Sequence, residues 1–175
     1  MANQYPPVVI VDGEDQIIGA ATLADAWAKS LRHRIVIVIV EDYDGRILLH
    51  RRAPDMQLFP GRWDTAGGHV DVTPAYLRSA RLELWEEVGV RDLPLKQVGY
   101  VYTEDPYDNG VRAKRFIKIY WARYDGQAVT PGAGEVTETG WFTHDEIAKL
   151  AGEHPELVSE CLYRSLPYIL GSGAS

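Results

Sequence analysis

Residues 67–90 read GGHVDVTPAYLRSARLELWEEVGV, and this stretch combines two glycines, a helical pattern and three glutamates. Apolar residues recur at intervals of three and four between Pro74 and Val88, which predicts an amphipathic helix with one buried face. The residues expected on that face are Leu77, Ala80, Leu84 and Val88. Gly67 and Gly68 stand in front of it and predict a tight turn. The stretch therefore predicts a glycine turn that leads into a helix.

Both ends of this helix carry recognisable signals. Thr73 suits the N-cap and Pro74 suits the first helical position, where the missing N–H of proline has no helical partner to lose. Gly89 suits the left-handed residue that commonly follows the last turn. We therefore expect the helix to run from residue 74 to residue 88.

Three glutamates of this helix, Glu83, Glu86 and Glu87, stand three and four positions apart. This spacing makes them neighbours, and we expect them along the polar side of the helix. Each exposed pair of like charges costs about 0.2–0.5 kcal/mol, whereas a hard divalent cation would use the carboxylate oxygens as ligands. On composition alone, a solvated surface helix is the plainer interpretation.

The same stretch resembles the box of the Nudix hydrolases, which runs G, five residues, E, seven residues, R-E-U-x-E-E-x-G-U, where U is a bulky aliphatic residue. Counted from Gly68, the matching residues are Glu83, Leu84, Glu86, Glu87, Gly89 and Val90. Pro74 stands where the family has its first glutamate, and Leu82 stands where it has an arginine. The C-terminal half of the box is therefore intact, and we expect the two departures to limit turnover.

The order of motifs upstream of the box resembles a branch that includes the isopentenyl-diphosphate isomerases, so the resemblance covers roughly residues 8 to 150. Gly67 stands where the isomerases have a cysteine whose thiol carries their chemistry, which counts against isomerisation. His33 and His69 fall where isomerases have metal-binding histidines, but Ala26 replaces a further histidine of that set. For each histidine, a structural, hydrogen-bonded role is favoured over metal ligation.

The remaining elements are compatible with the fold that the resemblance implies, a mixed β-sheet in an α/β/α sandwich of the α/β class. The β-branched run Ile35–Val40 predicts a central strand that is covered on both faces, whereas Arg115–Tyr124 predicts a strand with one wetter face. Thr143 and Glu146 form a capping-box pattern. Other expected elements are a hairpin at 8–19, a helix after Thr22, strands at 46–50 and 97–103, and a terminal helix at 155–170.

Length and composition bound the class of protein. The 175 residues fit a single domain, 1–175, with disordered tails at 1–6 and 171–175. The formal net charge of −7 argues against a nucleic-acid-binding surface. No apolar run approaches the roughly 18 residues that span a membrane. The single cysteine, Cys161, is expected in the core, and with no visible secretion signal we expect a cytoplasmic protein.

The resemblance implies a metal site and a catalytic set. Glu83, Glu86 and Glu87 would hold Mg²⁺ or Mn²⁺, together with a backbone carbonyl of the glycine turn. Glu135 matches the late glutamate loop of the family, through its spacing from Trp141, as a further metal ligand or as the general base. The catalytic residues are thus expected to be Glu83, Glu86 and Glu135, and the neighbouring Glu138 is the weaker match.

A small-molecule diphosphate, such as a nucleoside diphosphate derivative, is the substrate class that the resemblance implies. A small anion needs local arginines and close backbone, so Arg51, Arg52, Gly67 and Gly68 are the expected substrate-binding residues. Two alternatives stay open: a Nudix-fold protein that binds a nucleotide or a protein without turnover, and an isomerase-like enzyme. Assembly is open between monomer and homodimer, because apolar strands such as Ile35–Val40 serve core and interface alike.

Overall fold

The computed structural model describes residues 6–71, 75–106 and 112–171. Within these ranges nine strands form one mixed sheet, and helices pack on its two faces. In chain order the elements are β1 (Val8–Val11), β2 (Ile17–Ala21), α1 (Leu23–Ala28), β3 (Arg32–Glu41), β4 (Ile47–Arg52), β5 (Trp63–Asp64), β6 (Ala66–His69), α2 (Tyr76–Val88), β7 (Lys96–Pro106), β8 (Arg112–Arg123), β9 (Val136–Phe142), α3 (His144–Glu153), a 3₁₀ turn (Pro155–Leu157) and α4 (Glu160–Gly171).

Strand β3 lies at the centre of the sheet. It runs parallel to β8 along its whole length and antiparallel to β6 on its other side. The even-numbered valines of its apolar run pack with α2, and the odd-numbered isoleucines pack with α3 and α4. The prediction of a doubly covered strand at Ile35–Val40 is therefore confirmed, and with it the α/β architecture. The valines and isoleucines of β3 thus contribute to the hydrophobic core on each face of the sheet.

Strand β8 differs from its prediction. Its side chains are buried on both faces of the sheet, including Phe116, Ile117, Ile119 and Tyr120. The wetter face expected from the alternation is absent because β8 lies between β3 and β7, with helices above and below. Lys118 interrupts the apolar pattern, but it lies over the rings of Tyr76 and Tyr100.

The two glycines before the box form a strand, which corrects the predicted turn. Gly67 and Gly68 belong to β6 and lie opposite Ile37 and Val36 of β3. A Cβ atom on Gly67 would overlap the carbonyl oxygen of Val36, and one on Gly68 would overlap the carboxylate of Glu83. Glycine is thus required for close approach, since neither residue has a positive φ.

Helix α2 begins at Tyr76, after Ala75 as an N-cap that makes no side-chain hydrogen bond. The predicted start at Thr73 and Pro74 lies outside the described residues. Gly89 ends the helix at φ +74°, as predicted. Leu77, predicted on the buried face, is 38% exposed, because the helix instead turns Tyr76, Ser79, Ala80, Leu84, Glu87 and Val88 inward.

The predicted hairpin of β1 and β2 is confirmed, and a buried carboxylate joins it to the rest of the fold. Asp15 accepts hydrogen bonds from Arg34 Nε at 2.7 Å and from the hydroxyls of Tyr76 and Tyr100 at 2.8 Å each. These three donors come from β3, α2 and β7. We call Asp15 and its three donors the Asp15 cluster.

The C-terminal helices follow the sequence prediction in part. The capping box of Thr143 and Glu146 starts α3 as expected. The predicted helix at 155–170 is interrupted, because a 3₁₀ turn ends at Leu157 and α4 starts only at Glu160. Cys161 packs against the apolar cluster beneath α3 and α4, as expected. Among the helices in the described parts of the chain, none has the length and apolarity to cross a membrane.

Candidate active site

A cavity of about 320 Å³ opens beside α2, β6 and α4. Its volume lies at the lower end of the range for small-molecule sites. Carboxylates of α2 form one wall, and apolar side chains, arginines and further acidic side chains form the rest. The lining includes Trp27, Ile35, Ile37, Arg52, Met56, Phe59, Gly67, Gly68, Asp71, Glu83, Glu86, Glu87, Arg115, Glu135 and Arg164.

The three glutamates of α2 differ in exposure, which corrects the prediction that all lie along the polar side. Glu87 is 4% exposed, Glu83 is partly buried and Glu86 is exposed. Glu87 Oε2 accepts the N–H of Gly67 at 2.9 Å. Its Oε1 lies 3.7 Å from His50 Nε2 and 4.0 Å from a guanidinium nitrogen of Arg52. Glu87 therefore points into the protein, and the other two stand toward the cavity mouth.

Burial and mutual repulsion make these carboxylates hard to ionise. Burial raises the pKa of Glu83 to about 8, and the negative charges of Glu86 and Glu135 add to the effect. Burial also raises the pKa of Glu86, again with Glu135 and Asp71 nearby. The pKa of Glu87 rises well above its usual range, through burial and then through Glu83. A strongly shifted carboxylate cluster in a cavity is typical of a functional site.

Glu135 joins this cluster from the segment between β8 and β9, as its predicted role requires. The segment was expected to be flexible, but its backbone is tied to neighbouring elements. The N–H groups of Thr130 and Gly132 donate to the last turn of α2, each at 2.9 Å. The N–H of Ala53 donates to the Glu135 carbonyl at 2.8 Å. The Glu135 side chain itself is exposed and free to change rotamer.

Neighbouring arginines at the end of β4 point to different places. Arg52 lines the cavity, whereas Arg51 does not. Arg51 pairs with Glu138 at 3.0 Å on the surface and also donates to the Gly61 carbonyl at 2.9 Å. Successive side chains of a strand face opposite ways, so only one of the two can reach the cavity. The structure thus separates Arg51 from the other expected substrate-binding residues and gives Glu138 a partner outside the cavity.

The two histidines of the predicted alternative metal set stack on each other. The rings of His33 and His69 lie 5.3 Å apart between centroids, and His33 Nδ1 lies 3.1 Å from the Leu31 carbonyl oxygen. Burial lowers the pKa of His33 to about 4 and that of His69 well below its usual range. Both rings are therefore neutral at pH 7, and their packing fits the structural role favoured from the sequence.

Residues 31–161 match the family model of the NUDIX domain. The chain belongs to the Nudix family. A Yersinia pestis relative described as an uncharacterized Nudix hydrolase is 37% identical over 162 residues, which cover 87% of this chain and 84% of the relative. An isopentenyl-diphosphate Delta-isomerase of Photorhabdus laumondii subsp. laumondii is 28% identical over 151 residues, covering 86% and 84%. Both parts of the sequence resemblance are thus confirmed.

The fold is also found among solved structures. The crystal structure of a Deinococcus radiodurans protein superposes with a TM-score of 0.73 at 22% identity, covering 93% of this chain and 98% of that one. At this identity the likeness shows the fold alone. The family model and the Nudix hydrolase relatives make this chain a Nudix-type hydrolase. The family acts on pyrophosphate bonds in nucleotide derivatives and generally uses divalent metal ions.

Several residues of this Nudix site were not found from the sequence. Asp64 is 2% exposed beneath the cavity and lies 3.4 Å from a guanidinium nitrogen of Arg52. At the far end, Arg115 pairs with Glu160 and, at 2.6 Å, with Asp105. No local pattern marks these residues, because each meets its partner across 10 or more positions of the chain. A charged residue directly before the apolar residues of a strand, such as Arg115 before Phe116 and Ile117 in β8, was the one signal available.

The Nudix glutamates fit a divalent ion by their chemistry. After burial, the negative charge of Glu135 helps to raise the pKa of both Glu83 and Glu86, and a cation would relieve this repulsion. Within the described ranges, no three His, Cys, Asp or Glu side chains already surround one point. Binding an ion therefore requires a change of glutamate rotamer, which the exposed side chains of Glu86 and Glu135 allow.

Proposed function

We propose that this Nudix protein hydrolyses a diphosphate bond in a nucleoside diphosphate derivative and that it uses Mg²⁺ or Mn²⁺. The observation that carries the proposal is the meeting of Glu83, Glu86 and Glu135 at one wall of the cavity, although they come from two distant segments. A surface helix with solvated glutamates would not place two of these beside a third from another loop. The grouping supports the functional interpretation of the box over the structural one.

Glu83, Glu86, Glu87 and Glu135 would hold the ion. When bound, the ion would neutralise charge on the diphosphate and lower the pKa of a water that attacks phosphorus. Glu87 would contribute least at first contact, because its Oε2 already accepts the Gly67 N–H and only Oε1 faces other groups.

Glu135 or Glu83 would accept the proton of the attacking water. Glu135 stands on an anchored backbone with an exposed side chain, so its carboxylate can reach a bound substrate without moving the loop. Glu83 has a pKa of about 8, raised by burial, which places its proton affinity near neutral pH. A base whose pKa lies close to the working pH is the most efficient.

The rest of the cavity suits the remaining parts of such a substrate. Trp27, Met56 and Phe59 offer apolar surface for a ring or chain. Gly67 and Gly68 line the same space, where the lack of side chains lets a ligand approach the backbone. Because the Gly67 N–H is already bound to Glu87, Gly68 is the better candidate of the two.

The isomerase alternative loses further support from position 67. A Cβ atom there would overlap the Val36 carbonyl oxygen, so β6 in this register has no room for a catalytic cysteine. Binding without turnover stays as the alternative, because Leu82 and Pro74 depart from the box. If the departures only slow the reaction, Pro74→Glu combined with Leu82→Arg should raise the rate of hydrolysis.

The test is formation of a nucleoside monophosphate from a panel of nucleoside diphosphate derivatives with Mg²⁺ or Mn²⁺, using Glu135→Gln and Glu138→Gln side by side. Loss of a general base should lower kcat by about 10²–10⁴-fold in Glu135→Gln. Glu138→Gln should change kcat little, because Glu138 pairs with Arg51 outside the cavity. No turnover of any substrate by the wild type, with the ion bound, would favour the binding alternative.

A further inference from the structure

Beneath the glutamates that face the cavity lie two buried carboxylates. Asp64 is 2% exposed and Glu87 is 4% exposed. They come from β5 and α2, so they meet where the helix packs against the sheet. Each negative charge taken out of water costs several kcal/mol unless a partner compensates it. The pair would push β5 and α2 apart if it were left alone.

Arg52 lies between these two carboxylates. One of its terminal nitrogens, Nη1, is 3.4 Å from Asp64 Oδ2 and 4.0 Å from Glu87 Oε1. Its Nε donates to the Leu58 carbonyl at 3.0 Å, which fixes the plane of the guanidinium. The side chain is only 12% exposed. A single arginine thus joins β4, β5 and α2 through charge.

Arg52 carries the permanent positive charge at this place, because a guanidinium is not deprotonated in proteins. His50 Nε2 lies 3.7 Å from Glu87 Oε1, but the side chain is 1% exposed and neither ring nitrogen has a hydrogen-bond partner among the described residues. Ser159 donates its hydroxyl to Asp64, which adds a hydrogen bond without charge. The compensation of Asp64 and Glu87 thus rests heavily on Arg52.

We propose that Arg52 is a positioning residue, which holds Asp64 and Glu87 together so that α2 presents Glu83 and Glu86 at the correct height over the cavity. Glu83 stands one helical turn before Glu87, so a shift of Glu87 moves Glu83 with it. This differs from the substrate contact expected from the sequence. The kinetic part rests on the proposed hydrolase function, whereas the structural part does not.

The first experiment compares Arg52→Gln, Arg52→Lys and the control Arg123→Gln. Arg123 pairs with Glu41 at 2.9 Å and does not line the cavity. Loss of a residue that orients a metal ligand without touching the metal typically lowers activity 10–100-fold. Arg52→Gln should therefore lower kcat by about that factor and leave KM within about twofold. Its melting temperature without metal or substrate should fall clearly below that of Arg123→Gln. Arg52→Lys should recover part of both losses.

The second experiment removes one of the two charges that Arg52 compensates. Asp64→Asn keeps the size of the side chain and its hydrogen bond from Ser159, so in the Arg52→Gln background it should raise the melting temperature and kcat. Should Arg52→Gln fail to fold, a folded Arg52→Gln/Asp64→Asn variant supports the proposal and an unfolded one overturns it. A rise in KM that matches or exceeds the fall in kcat, at unchanged melting temperature, would make Arg52 a substrate contact instead. If the wild type shows no turnover, only the hydrolase function fails, and the melting temperatures still decide the role of Arg52.

Discussion

The Asp15 cluster and the glutamate cluster of α2 each contain a buried carboxylate, Asp15 and Glu87, yet the two clusters are built in opposite ways. Asp15 is 9% exposed and accepts three hydrogen bonds of 2.7–2.8 Å, one of them from Arg34. Glu87 is more deeply buried but accepts one hydrogen bond at 2.9 Å, and its cationic contact is at 4.0 Å. A buried carboxylate with several hydrogen-bond donors and a close cation stabilises the fold. Carboxylates that have few donors and lie close together repel one another, and a bound cation can relieve this repulsion.

The titration of neighbouring groups shows the same contrast. In the Asp15 cluster, burial and then the hydrogen bond to Asp15 raise the pKa of Tyr100 to about 12, so the phenol keeps its proton and donates it. In the glutamate cluster, burial and like charges raise the pKa of Glu83 to about 8. The Tyr100 phenol therefore keeps its proton at every physiological pH. The glutamate cluster changes its charge state near neutrality, as a reactive site must.

The largest effect should follow from breaking the glutamate cluster at Glu83. Glu83→Gln removes a proposed ligand and base, so kcat should fall by about 10²–10⁴-fold. The melting temperature should hold or rise, because one of the repelling charges is gone. Formation of the nucleoside monophosphate and thermal unfolding measure the two results. A large loss of stability instead would mean that Glu83 belongs with Asp15 as a structural carboxylate.

Breaking the Asp15 cluster should give the opposite pattern. Asp15→Ala leaves the buried Arg34 without this carboxylate and the hydroxyls of Tyr76 and Tyr100 without their acceptor. Removing one partner of a buried ion pair costs about 3–5 kcal/mol, which urea unfolding at pH 7 would detect.

The control for this variant is Glu14→Gln, an exposed change in the same hairpin turn, which should stay within about 0.5 kcal/mol. Equal effects of Asp15→Ala and Glu14→Gln would remove the distinction between the two clusters.

The pH dependence of stability should reveal the glutamate cluster. The folded state keeps a proton on Glu83 up to a pKa of about 8, whereas an unfolded glutamate releases it near pH 4.3. The folded state therefore binds more protons, and stability falls as pH rises through this interval. Between pH 6.5 and 8 the loss should reach at most about 2 kcal/mol for one proton.

The measurement should start at pH 6.5, because below this pH the buried histidines make stability fall as the pH falls. The pKa of His33 is lowered to about 4 and that of His50 to about 3, both mainly by burial, so their contribution to stability is lost below the unfolded value of about 6.5. Melting temperatures from pH 6.5 to 8.5 should decline in the wild type and level out in Glu83→Gln or with Mn²⁺ bound. A flat wild-type profile would contradict the raised pKa of Glu83.

The smallest effect should come from an ion pair that water surrounds. Arg51 and Glu138 lie 3.0 Å apart with about half of each side chain exposed. Exposed pairs are worth about 0.2–1 kcal/mol, so a double-mutant cycle of Arg51→Gln and Glu138→Gln should give a coupling in that range. A coupling as large as that of Asp15 with Arg34 would show that burial does not separate the two kinds of pair.

Most of the fold could be predicted because its signals are local. The β-branched run of β3, the hairpin turn at 12–15 and the capping box of Thr143 each depend on residues close in sequence. The errors arose where tertiary contacts overrode the pattern. Leu77 is exposed because the direction of α2 is set by its packing on the sheet, and β8 is buried on both faces because helices cover the sheet above and below it.

The sequence by itself determined the family, the helix of the box and the grouping of Glu83, Glu86 and Glu87, because a spacing of three and four residues fixes neighbours on any α-helix. Only the tertiary structure decided that Glu87 turns inward, that Arg52 rather than Arg51 reaches the cavity, and that Gly67 is needed for close approach to β3. Each of these depends on which strand or helix lies opposite, and such pairings join residues far apart in the chain. Burial sets the charge state of the site, and burial depends on how distant parts of the chain pack together. No single stretch of the sequence determines it.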